Sequence, residues 1–139
     1  MAALHARVFT SHPQPWSAAA FAGLLAEPAV FCVVRDGGLL VGRAVAGEAE
    51  LLTLAVAPER RRRGTGRALV MAFEAEAARR GAGRAFLEVA EDNAAARSLY
   101  SALGWRECGR RRGYYATASG GRVDAVIMER ALAISVDGE

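Results

Sequence analysis

The segment that most limits how this chain can fold runs from residue 49 to residue 69. An apolar stretch, Leu51–Val56, ends near Pro58; four arginines, Arg60 to Arg63, lead into Gly64-Thr65-Gly66, and Arg67, Ala68 and Leu69 follow. A strand, a glycine turn and then a helix is a geometry that binds phosphate. The first turn of a helix leaves amide N–H groups without partners and carries roughly half a positive charge. Glycine lets the backbone come close to a ligand and adopt positive φ. The same residues also read as a solvated basic loop capping an ordinary helix. A dinucleotide-binding turn fits less well. Leu69 stands where that fingerprint needs a third small residue, and residues 57–63 separate the strand from the first glycine.

Around this segment the pattern alternates. Ser17 can cap a helix that ends before Pro28, with Trp16 before it packing on Phe21 as a hydrophobic staple. Val30–Arg35, a turn at Asp36-Gly37-Gly38 and a strand from Leu39 to about Ala46 read as a hairpin. A third strand lies in residues 49–57, and a helix from about Gly66 to Arg80 puts Leu69, Ala72 and Phe73 on one face. Arg84–Ala90 is a short strand, and Asn93 caps a helix ending at Gly104. Two closing strands, residues 105–115 and 124–130, flank a glycine-rich loop. The order predicts one mixed α/β domain around a twisted sheet.

Composition removes several function classes. The chain has 139 residues, enough for one substantial core, and its 53% hydrophobic content suits a folded domain. All 18 basic residues are arginine, so a phosphate loop ending in Gly-Lys-Ser/Thr is impossible. Taking Arg60–Arg63 and Arg67 away from a net charge of +3 leaves −2. The basicity is therefore local, which favours one anionic site. A second cluster at Arg110, Arg111 and Arg112 keeps a nucleic-acid-binding module as a rival reading. Cys32 and Cys108 lack the spacing of a metal site and read as buried thiols, and no metal is expected. His5 and His12 read as structural or solvated. The apolar run from Ala18 to Ala29 is broken by Glu27 and Pro28, and no signal peptide is evident. A cytoplasmic protein without a membrane partner is expected.

Two stretches carry a resemblance. Residues 53–69 resemble motif A of the GCN5-related N-acetyltransferases, whose [RQ]-x-x-G-x-[GA] pattern is met by Arg61 to Gly66. Residues 86–105 resemble motif B of that family, with the N-x-x-A-x-x-x-Y spacing kept from Asn93 to Tyr100. With the "GRRRGYY" and "DAVIM" stretches, the likeness extends from about Pro15 to Arg130 and is nearest the RimI group, protein N-terminal alanine acetyltransferases.

The resemblance implies the α/β fold of that family, a mixed, mostly antiparallel twisted sheet flanked by helices, and acetyl-CoA as acetyl donor. It implies that Arg62, Arg63, Gly64, Thr65, Gly66 and Arg67 hold the pyrophosphate. The strand backbone at Leu54, Ala55 and Val56 would run beside the pantetheine, and Asn93 would touch the same molecule. Asn93 also reads as a plain N-cap. Glu88 matches the family's general base and Tyr100 its general acid. Taken alone, Glu88 reads as the solvent-facing member of an alternating strand, and Tyr100 as core packing on a helix. Trp16, Tyr114 and Tyr115 would line the acceptor site, or else pack as staple and hairpin.

The implied acceptor is the N-terminal alanine of a small-subunit ribosomal protein. An α-amine suits a single carboxylate base, because its pKa is about 7.7–8.0 against about 10.4 for lysine, roughly 3 kcal/mol easier to neutralise. No serine or cysteine is paired with histidine for a covalent route, so transfer is expected to be direct. An acetyltransferase for a small amine or antibiotic is the rival within the class. The chain departs from the family at its start, where residues 2–9 align with the family's first helix and no strand precedes them. Val30–Arg35 is therefore expected at a sheet edge.

Overall fold

The computed structural model describes residues 17–57 and 64–132. The readings made for residues 2–9, His5, His12, Trp16 and Arg60–Arg63 lie outside them. Helix α1 (Ala18–Leu25) starts where Ser17 accepts a hydrogen bond from the Ala20 amide at 3.1 Å. It leads to β1 (Val30–Arg35), β2 (Gly38–Val45) and β3 (Glu48–Val56). Helix α2 (Thr65–Arg79), β4 (Arg84–Ala90) and α3 (Ala94–Ala102) follow, and β5 (Arg106–Ala116) and β6 (Arg122–Ala131) close the chain. Six described strands form one sheet in the order β1-β2-β3-β4-β6-β5, in which only β3 and β4 run parallel. Helix α2 is the crossover between that parallel pair. Strand β1 is the edge of the described sheet.

The main core lies between the sheet and helices α2 and α3. Phe73, fully buried, is its centre, with Leu69, Val70 and Ala77 on the same helical stripe. Its ring stacks at 5.8 Å on Phe31 of β1 and at 6.3 Å on Trp105, whose ring lies 6.0 Å from Tyr100. A row of four aromatic rings thus runs from the sheet edge to α3. Truncating a centre like Phe73 to alanine costs about 3–5 kcal/mol. The Glu74 carboxylate tethers the row's far end, accepting from Trp105 Nε1 at 3.2 Å and from Arg130 Nε at 2.8 Å.

A second, smaller core lies on the opposite face, where Phe21 of α1 packs on Val30, Leu39, Val41 and Ala55. One irregularity in β3 lets the strand serve both cores. Val41 pairs with Thr53 and Gly42 with Leu51, so Leu52 is an extra residue, a β-bulge. Ala49 and Leu51 before it face the main core, and Ala55 after it faces the second. An apolar rhythm of two in the sequence is thereby divided between two faces.

Cys32 is half-buried, but Cys108 is exposed on β5, contrary to the expectation of a buried thiol. The reason is local. Glu107 pairs with Met128 and Gly109 with Ile127, so Cys108 is itself an extra residue on an outer strand.

Gly42 lies under the aromatic row. A β-carbon there would sit 2.7 Å from Phe73 Cε1 and 2.9 Å from Phe31 Cζ, with no room on either side. We expect Gly42→Ala to lower stability by about 1–3 kcal/mol, seen in thermal unfolding as a Tm lower by roughly 3–10 °C. An unchanged Tm would mean that the two rings are not the fixed pair described here.

Candidate active site

Strands β3 and β4 pair only from Glu48–Arg84 to Leu51–Leu87. The Leu52 bulge comes next, and from there the strands separate. β3 continues against β2, and β4 continues against β6, with Glu88, Val89 and Ala90 opposite Ile127, Val126 and Ala125. Between them opens a hollow of about 370 Å³. Leu52, Thr53 and Leu54 form one wall and Glu88, Val89 and Ala90 the other, with Asn93 and Tyr100 from α3 and Tyr114 and Tyr115 from β5.

Glu88 and Tyr100 reach this hollow from opposite faces of the sheet. Leu87 and Val89 belong to the main core, so alternation sends the Glu88 carboxylate to the other side. Tyr100 lies in the main core itself, 5% exposed. Only the separation of β3 from β4 lets the two groups share a space. Burial pushes the Tyr100 phenol well above the usual tyrosine range, so it keeps its proton and remains a donor.

Glu88 does not stand alone. Arg111 Nε lies 3.0 Å from its Oε1, and the Arg111 guanidinium sits 5.1 Å above the Tyr114 ring. Tyr114 in turn meets Tyr115 edge to face at 5.1 Å. Burial first, and then the negative Glu88 nearby, push the Tyr115 phenol up to about 12. A wide bulge in β5 lies among these groups. Arg111 pairs with Ala125 and Tyr115 with Val123, so three residues, Arg112 to Tyr114, oppose Asp124 alone. Gly113 takes positive φ there, and its N–H donates to Asp124 Oδ1 at 2.9 Å. That bond, with Arg110 next, holds the Asp124 carboxyl below its ordinary value.

Arg111 is the site residue that sequence reasoning missed. It was counted with its neighbours as a possible basic patch. Its real surroundings depend on the bulge register, which the motif "GRRRGYY" signals only by containing a glycine. The cluster is not a free cationic surface. Arg110 is engaged by Glu107 at 2.9 Å, Glu91 at 3.1 Å and Asp124 at 3.3 Å.

The residues read as a phosphate cradle open α2. Gly64 caps the helix with φ +79°, and among the described residues no side-chain cap bond forms there. Gly66 lies against α3, where a β-carbon would come within 3.2 Å of Leu99. Thr65 is buried and Arg67 exposed. Arg62 and Arg63 lie outside the described residues, as does Trp16 of the acceptor site. Of the three strand residues, Leu54 lines the hollow, whereas the Ala55 side chain is in the second core and Val56 packs against the main one. Asn93 lines the hollow and also caps α3, its Oδ1 accepting from the Ala96 amide at 3.1 Å. An uncapped helix start, a glycine turn and a hollow of this size suit an elongated phosphate-bearing molecule.

A second hollow, of about 340 Å³, includes Phe86, Glu88 and Ile127 and so opens on the face away from α2. It shares Glu50, Glu88 and Arg111 with the first. Glu88 therefore lines both hollows.

Comparison with known proteins places the chain among its relatives. The model of the acetyltransferase (GNAT) family matches residues 2–105. The chain is 40% identical over 130 residues to the [ribosomal protein bS18]-alanine N-acetyltransferase of Escherichia coli strain K12, covering 91% of this chain and 86% of that one. The crystal structure of the ribosomal-protein-S18-alanine N-acetyltransferase from Escherichia coli superposes with a TM-score of 0.83 at 33% identity, over 99% of this chain and 89% of that one. A nourseothricin acetyltransferase structure is 34% identical, with a TM-score of 0.64, over 70% of this chain and 58% of that one. The chain is a member of the GNAT family of acetyltransferases.

Proposed function

We propose that this chain transfers the acetyl group of acetyl-CoA to the α-amine of a protein N-terminus, with the N-terminal alanine of a small-subunit ribosomal protein as acceptor. The observation that carries this reading is the meeting of Glu88 and Tyr100, from opposite sheet faces, in the one hollow that the β3–β4 separation opens. The acceptor is supported by the 40% identity to a protein of that name over 91% of the chain.

Acetyl-CoA supplies an acetyl group activated as a thioester; the rest is work for the protein. Amides of the first turn of α2, beside Gly64 and Gly66, bind the pyrophosphate, with Arg62, Arg63 and Arg67 adding positive charge. The main chain of Leu54, Ala55 and Val56 runs beside the pantetheine as a neighbouring strand would. An amide donor at the reacting carbonyl contributes about 3 kcal/mol to the rate. Glu88 takes the proton that the acceptor ammonium must lose, and Tyr100 gives one to the departing sulfur. Asn93 both starts α3, which carries Tyr100, and touches the bound molecule. Tyr114 and Tyr115, with Trp16, line the path of the acceptor chain. Among the described residues no helix is long and apolar enough to cross a membrane, and with a ribosomal acceptor the reading puts the reaction in the cytoplasm.

Incubation with acetyl-CoA and a peptide beginning with alanine, followed by mass spectrometry, tests the proposal. Acetylation at the α-amine is expected, with small amines poor acceptors; the reverse preference would make this a small-amine enzyme. Glu88→Gln and Tyr100→Phe should each lower kcat by about 100-fold or more, the usual contribution of a positioned acid or base, with little change in Tm. Full activity in both would overturn the assigned roles.

The pH dependence follows from the raised Tyr100 pKa. A donor whose pKa is raised stays protonated to higher pH, so activity should rise as the amine deprotonates and hold a plateau through pH 10, near the ordinary tyrosine value. An alkaline fall centred below pH 10 would exclude Tyr100 as the acid.

A further inference from the structure

Arg111 has more donors than the protein uses. Its Nε faces Glu88 Oε1 at 3.0 Å, and its guanidinium lies over the Tyr114 ring. Among the described residues it has no other ion pair or hydrogen bond, and its side chain is 54% exposed. Its terminal N–H groups are therefore available beside the hollow. The Glu88 side chain has a spare oxygen as well, since Oε2 has no partner among the described residues. Spare donors and a spare acceptor thus lie side by side, where both hollows meet.

We infer that Glu88 and Arg111 together form a ruler for the α-amino acyl unit, Glu88 receiving the ammonium and Arg111 donating to the first carbonyl of the same residue. The inference rests on the proposed acetylation of protein N-termini and adds how the α-amine is told from other amines. In an N-terminal residue a single carbon separates the nitrogen from the carbonyl carbon, so nitrogen and carbonyl oxygen lie about 3 Å apart. That separation matches two neighbouring positions on an arginine–carboxylate pair. A lysine side chain presents its amine far from any carbonyl, leaving the Arg111 donors unmatched. The pair thus selects by connectivity rather than by side-chain shape. Tyr114 keeps the guanidinium over its ring, which limits where the fork can turn. The Asp124-held bulge fixes Tyr114 in turn.

The test compares two peptides identical except for the first residue, alanine in one and β-alanine in the other, where one more methylene moves the carbonyl outward. Wild-type kcat/KM should favour alanine by about tenfold or more. Arg111→Gln should lower kcat/KM for the alanine peptide by about tenfold or more, the scale of a lost charge-assisted hydrogen bond. The β-alanine peptide should change by less than about twofold, so that the preference collapses. The two amines differ in pKa, but equally for both enzymes, so the change in ratio isolates Arg111. An equal loss on both peptides would reduce Arg111 to a support for Glu88 and overturn the inference, as would no loss on either. A wild-type enzyme inactive on both would overturn the proposed function itself. Thermal unfolding with and without CoA checks that Arg111→Gln remains folded and binds the nucleotide.

Discussion

The site depends on one departure from regular pairing, the extra residue at Leu52. A parallel pair kept in register beyond Leu51 and Leu87 would close the sheet, leaving Glu88 and Tyr100 on faces that never meet. The bulge ends the β3–β4 ladder and at the same point exchanges the core that β3 faces. Neither consequence is available without the other. The cleft is thus made of backbone geometry, and its walls are the edges of two strands still held firmly on their far sides by β2 and β6.

A rigid scaffold surrounds this opening. The aromatic row from Phe31 to Tyr100 connects the sheet edge to the wall of the hollow, and Glu74 ties the row's Trp105 to Arg130 on β6. Tyr100 therefore has little freedom to move without disturbing the main core. Glu88 and Arg111 are held differently. They form a partly exposed ion pair, of a kind that contributes little to stability. Packing fixes the proposed acid, while the proposed base sits where charge and solvent can reach it.

Much of this was legible in the sequence, and the reasons are specific. Ser17 and Asn93 announced their helices because capping is a local bond between a side chain and an amide three residues on. Strand β1 and the β4 segment were read to the residue because apolar runs bounded by turn residues have few alternatives. Glu88 and Tyr100 were found through spacing within a resemblance, and the structure puts both on one hollow. What the sequence did not signal shares a cause. The setting of Arg111 and the exposure of Cys108 both follow bulges in β5, where one or more extra residues change which way every later side chain points. A bulge leaves almost no mark in composition or periodicity, so side-chain direction beyond it is a property of the assembled sheet.

The two glycines that open α2 satisfy different demands. Among the described residues nothing lies within 4 Å of a β-carbon at Gly64, whose backbone is left-handed, whereas Gly66 has an ordinary backbone and Leu99 close by. A residue at position 64 is judged by conformation, so asparagine, which tolerates positive φ, is a milder replacement than a larger but less permissive side chain. Position 66 is judged by volume, and a single methyl group asks Leu99 to yield by a few tenths of an ångström. A pattern that demands glycine first and accepts glycine or alanine second therefore records two separate facts: the angle at which the chain enters the helix, and the thickness of the wall between that helix and the one bearing Tyr100.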